Sequence, residues 1–103
     1  MCGKEELVQQ LNTNKLVLVD FWAPWCGPCR MLGPVLEKIS EEMSSQVKVV
    51  KINVDEEQNQ ILAGEFGVSS IPQVTLIKNG NNVDQFIGAL PYETIKEIIS
   101  KNL

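Results

Sequence analysis

Histidine is absent from this chain. That excludes the Cys-His and Ser-His pairs by which many side-chain nucleophiles are activated. Cysteine is scarce: three among 103 residues cannot all pair within one chain, so no disulfide framework holds the fold together. A structural zinc site usually takes four protein ligands, and beyond Cys26 and Cys29 only Cys2 remains, which argues against metal. No apolar stretch approaches the roughly 20 residues a transmembrane helix needs, and no basic segment leads into an apolar one near Met1. The expectation is a cytoplasmic protein with no membrane partner. Runs of positive charge are missing too, since nine Lys and Arg residues are scattered against a net charge of -4, and this excludes a nucleic-acid surface. Glu41-Glu42 and Glu56-Glu57 read as solvated faces. Repeats, linkers and low-complexity segments are also lacking, so residues 1–103 are expected to form a single domain.

What the chain does contain is organised around Trp25-Cys26-Gly27-Pro28-Cys29. Two thiols at this spacing close a ring only if the backbone between them turns tightly, and Gly27-Pro28 supplies one permissive and one rigid residue. Ahead of them, the apolar run 15–22 reads as a buried strand; behind them, Leu32, Val35, Leu36, Ile39 and Met43 recur at helical spacing to about Ser44. Cys26 therefore falls between a strand and a helix, where unpaired N–H groups and the helix dipole favour thiolate. Pro34 is expected to kink that helix. The remaining pattern gives a first helix over 4–11 with Leu7, Val8 and Leu11 on one face, and a second strand over 47–54. A third helix over 58–66 turns Ile61, Leu62 and Phe66 inward, with Gly67 as its stop. Strands over 73–78 and 82–87 meet at Asn79-Gly80-Asn81, and a last helix opens at Pro91 with Ile95, Ile98 and Ile99 facing the sheet. The fold class is α/β, a central mixed sheet of four strands with helices on both faces; a fifth strand fits only as an N-terminal stub.

A bare Cys-x-x-Cys is also a zinc signature, but without further ligands the chemistry open to these residues is thiol–disulfide exchange. Together, Asp20-Phe-Trp-Ala-Pro-Trp-Cys-Gly-Pro-Cys29, Ile71-Pro72 and Lys78-Asn-Gly80 resemble the thioredoxin family from about Leu16 onward. The resemblance implies the thioredoxin fold and reduction of protein disulfides by a monomer with no bound cofactor. It implies as partners disulfide-containing client proteins and a thioredoxin reductase that restores the dithiol from NADPH. By the same resemblance Cys26 attacks the client and Cys29 resolves the mixed disulfide, consistent with Cys26 lying nearer the open end of the helix and Cys29 one turn in.

Asp20 reads from the sequence alone as a carboxylate satisfied by backbone donors; the resemblance makes it a buried acid–base group that exchanges a proton with Cys29. Lys51 alone is a solvated strand residue, and in the family it lies near that aspartate. Pro72 is expected to be cis, and Trp25, Gly27, Pro28, Ile71, Pro72, Gly88 and Ala89 to form the apolar surface on which clients dock. Trp22 is expected beneath the site. Gln73 stands where threonine is common, Pro24 is at a variable position, and Cys2 has no counterpart and reads as an unused terminal thiol. The competing functions are a disulfide oxidase or isomerase, disfavoured by Gly-Pro between the cysteines, and a thioredoxin-fold binding subunit or chaperone without turnover.

Overall fold

A computed structural model describes residues 4–103. Along the chain the elements are α1 (Lys4–Gln10), β1 (Leu16–Trp22), α2 (Gly27–Glu42), β2 (Val47–Asn53), a 3-10 turn (Glu57–Asn59), α3 (Gln60–Glu65), β3 (Gln73–Lys78), β4 (Asn81–Ile87) and α4 (Tyr92–Lys101). The strands form one mixed sheet in the order β2-β1-β3-β4, with β1 parallel to β2, antiparallel to β3, and β3 antiparallel to β4. Cys2 and the anticipated fifth-strand stub lie outside the described residues.

β1 is the axis of the fold because it has a neighbour on each edge and a helical layer on each face. Its side chains alternate. Leu16 and Leu18 pack with Leu32, Leu36 and Ile39 of α2 and with Ile95 and Ile99 of α4. Val17, Val19 and Phe21 pack on the opposite face with Leu7 of α1 and Leu62 of α3. This two-sided burial explains why β1 reads as an unbroken apolar run in which only Asp20 is out of character. α2 continues through Pro34, which lacks the N–H that would otherwise bond the Arg30 carbonyl.

Three expectations are corrected. The hairpin loop is the two-residue Asn79-Gly80, with Lys78 paired to Asn81 and both loop residues at positive φ (51° and 81°), the signature of a type I′ turn; Asn81 belongs to β4. Val8, grouped with Leu7 and Leu11, is 59% exposed, because the short α1 turns one narrow stripe inward at Leu7. Ile61 is 78% exposed rather than inward. The 3-10 turn ahead of α3 sets the helical phase: Asn59 and Leu62 are buried, which leaves Ile61 about 100° from Leu62 and about 200° from Asn59. Two substitutions check this phase. Leu62→Ala is expected to cost about 2–4 kcal/mol in urea unfolding, whereas Ile61→Ser should change stability by less than about 0.5 kcal/mol. Similar losses for both would contradict it.

Candidate active site

The loop Ala23-Pro24-Trp25 carries the chain from the end of β1 into α2, and Cys26 is the N-cap. Its backbone is extended (φ -87°, ψ 112°), and its Sγ accepts the Cys29 N–H at 3.2 Å. Sulfur thus occupies the position where serine or aspartate usually satisfies an orphan helix donor. Pro28 in the first turn sacrifices no bond, since first-turn N–H groups have no intrahelical acceptor. The resulting Cα–Cα distance of 5.2 Å is within the range a disulfide spans, and Cys26 and Cys29 are joined. The N–H that meets Cys26 Sγ would stabilise negative charge there once the bond opens.

Both sulfurs are covered in this oxidised state, each cysteine being 5% exposed, so burial does not distinguish them. Their surroundings do. Cys26 Sγ lies 3.8 Å from the Ile71 carbonyl oxygen and is bordered in sequence by exposed Trp25, Gly27 and Pro28. Cys29 faces inward, onto a cavity of about 270 Å³ lined also by Asp20, Trp22, Arg30, Gly33, Pro34, Glu37 and Lys51. The Ile71-Pro72 bond is cis, as expected. The Pro72 carbonyl accepts the Gly88 N–H at 2.9 Å, which brings the end of β4 to the site; Gly88 has φ +96°, a conformation that favours glycine. Ala89 follows it, exposed, and adjoins the surface only through Gly88.

Asp20 is 2% exposed and shares the α2 side of β1 with Leu16 and Leu18. Its Oδ1 has no hydrogen-bond partner among the described residues, and neither has the buried Trp22 Nε1. The reading of Asp20 as a carboxylate satisfied by backbone donors therefore does not hold for Oδ1. Burial pushes the carboxyl up from 3.8 to about 6, against the opposing attraction of Lys51. Lys51 is the direct partner of Asp20 in the parallel β1–β2 register; its side chain is exposed, and its Nζ lies 5.9 Å from the centre of the Trp22 ring. A carboxyl that titrates near 6 beside a thiol can take a proton from that thiol at neutral pH.

Sequence reasoning overlooked several residues here. Gly33 and Glu37 follow Cys29 by four and eight residues, a helical spacing that could have placed them on its face. Arg30, one residue on, is about 100° away and gave no such signal. Asp55 gave no such signal: its Oδ1 accepts the Trp25 indole N–H at 3.0 Å across 30 residues of chain. Asp55 is itself held by its N–H donating to Asn53 Oδ1 at 2.9 Å, while Asn59 Nδ2 donates to the Asn53 carbonyl at 3.0 Å.

A disulfide that doubles as a helix N-cap, flanked by a cis-proline strand and backed by a buried carboxyl, defines a thiol–disulfide oxidoreductase. The sequence profile of the family described as Thioredoxin matches residues 2–101. Thioredoxin of Pyropia yezoensis is 50% identical over 98 residues, covering 95% of this chain and 87% of its own. Thioredoxin of Bacillus subtilis is 50% identical over 92 residues, 89% of this chain and 86% of its own. Thioredoxin 1 of Synechococcus elongatus is 51% identical over 93 residues, 90% of this chain and 85% of its own. The chain belongs to the thioredoxin family. Its function is redox exchange between a dithiol and a disulfide, with Cys26 and Cys29 as the redox pair.

Proposed function

We propose that residues 1–103 act as one domain that reduces client-protein disulfides, with Cys26 as nucleophile and Cys29 as resolving thiol. The Cys26 thiolate attacks one client sulfur, and the other client sulfur leaves as thiolate. Cys29 then attacks Cys26 Sγ, the mixed disulfide breaks, and the second client sulfur departs. Two electrons pass from the protein to the client, and Asp20 takes the Cys29 proton as that thiol becomes the attacking thiolate. Lys51 stabilises the Asp20 carboxylate. Trp25, Gly27, Pro28, Ile71, Pro72, Gly88 and Ala89 form the docking surface, where the Ile71 backbone pairs with an extended client segment. A thioredoxin reductase using NADPH restores the dithiol, so the protein itself binds no cofactor. We place this work in the cytoplasm and assign it to a monomer; no helix among the described residues is long and apolar enough to cross a membrane.

The observation that carries this reading is the asymmetry of the joined cysteines, one capping the helix beside Ile71 and the other facing the Asp20 cavity. Reduction of insulin by NADPH and a thioredoxin reductase tests it. Turnover that needs both cysteines is expected; binding of clients without such turnover would favour a binding subunit or chaperone. A second measurement addresses the docking surface. Because Asp55 orients the exposed Trp25, Asp55→Ala is expected to raise KM for a client about fivefold with little change in kcat, the size of one net hydrogen bond. A fall in kcat at constant KM would remove Trp25 from client binding.

A further inference from the structure

Gly33 sits inside α2, where glycine costs about 0.5–1 kcal/mol relative to alanine. Its backbone gives no reason for that cost, since its φ does not lie in the left-handed region. Space gives one. Outside its own helix backbone and chain neighbours, the one heavy atom within 4 Å of a β-carbon built on Gly33 is Lys51 Nζ, at 3.5 Å, whereas Gly27 and Gly64 have nothing in that range. The ammonium of Lys51 therefore rests against the bare flank of α2, at the cavity that Gly33 and Lys51 share with Asp20 and Cys29.

We propose that Gly33 is a positioning residue: its missing side chain is the seat of the Lys51 ammonium, and it holds that charge at the Asp20 cavity. An alanine methyl fits at the 3.5 Å contact and leaves the ammonium in place, whereas a branched side chain occupies the seat and pushes the ammonium outward. With the ammonium displaced, Asp20 loses attraction for its ionised form and holds its proton to higher pH. The other charged or titratable groups at the cavity are Cys29, Arg30 and Glu37, all from α2; β3 opposes Asp20 with apolar Val74.

The relevance to turnover rests on the Asp20 role proposed above, so the test reads the seat and the role separately. Carbon-13 NMR titration of the Asp20 carboxyl, without client, is compared in the wild-type protein, Gly33→Leu, Lys51→Met and the double variant. Arg30 and Glu37 are common to all four. Gly33→Leu is expected to raise the midpoint by about half a pH unit or more, the scale of a Coulomb interaction in a partly solvated site. Lys51→Met should raise it at least as far, and the double variant should match Lys51→Met alone. An unchanged midpoint in Gly33→Leu, or the same added rise in the Lys51→Met background, overturns the proposal. If the leucine variant does not fold, Gly33→Val made with and without Lys51→Met decides: a rise that disappears in the Lys51→Met background supports the seat, and an unchanged midpoint overturns it. Client-reduction rates recorded across the same pH range test Asp20 itself. A midpoint that moves without the rate profile would uphold the seat and refute the proton-transfer role.

Discussion

Cys29→Ser is expected to accumulate client protein joined covalently to Cys26, and to lose about a hundredfold or more in turnover. Attack by Cys26 needs only its own sulfur, which remains at the helix N-cap beside Ile71. Release needs a second nucleophile one helical turn away, and a serine hydroxyl is far too weak a nucleophile for disulfide exchange at neutral pH. Without Cys29 the complex waits for uncatalysed exchange, which takes minutes to hours against ordinary turnover of about 1 s⁻¹ or faster. Cys26→Ser should lose turnover as completely yet trap almost no client, because the remaining thiol faces the cavity rather than the docking surface. Both variants are best made with Cys2→Ser, so that mass spectrometry of trapped complexes reports only on the pair. Efficient capture through Cys29 in the Cys26→Ser protein would reverse the two roles.

Asp20→Ala is expected to act in opposite directions on rate and stability. With a carboxyl that titrates at about 6, wild-type client reduction should fall as pH drops through that value, since the proton acceptor for Cys29 is lost. The variant should be about tenfold or more slower near pH 7 and should lack that inflection. Identical profiles from pH 5 to 9 would sink the proton-transfer role. For stability, the folded-state value lies above the 3.8 of an unperturbed carboxyl, so the folded protein is the better proton binder between them. Asp20 therefore imposes no ionisation cost below about 3.8, and the cost grows as pH rises, to about 3 kcal/mol once pH passes 6. Removing the side chain relieves this at the expense of about 1 kcal/mol for the cavity left behind. Urea unfolding of the oxidised proteins should find the variant more stable by about 1–2 kcal/mol at pH 7.5. At pH 4 the difference should vanish or reverse. A variant less stable at pH 7.5 would mean that the carboxylate is not destabilising where it sits.

The features legible in the sequence share one property: they depend on contacts close along the chain or on a single period. The buried run of β1, the helical spacing behind the dithiol and the Asn-Gly hairpin are of this kind, and so is the arrangement of sulfurs at the start of α2. Ile61 was misjudged because a short 3-10 turn changes the phase on which a helical period is counted. The direct pairing of Asp20 with Lys51 is a matter of parallel register, set by how α2 packs between two strands, and no local pattern encodes it. The Trp25–Asp55 hydrogen bond and the contact of Gly33 with Lys51 are long-range in the same sense. Asp20 stood out as a charge in an apolar strand, but only the fold reveals that its Oδ1 is unpartnered and that it shares a cavity with Cys29.

The alternation along β1 carries one more consequence. Because Leu16 and Leu18 belong to one core and Val17, Val19 and Phe21 to the other, a slip of one residue would turn every side chain of β1 to the wrong layer, Asp20 among them. The carboxyl would then face α1 and α3, away from either sulfur. The carboxyl therefore has no registration device of its own. Asp20 is aligned with the sulfurs by the same apolar side chains that hold the molecule together, so a chain that has lost its cores has also lost the placing of its buried carboxyl.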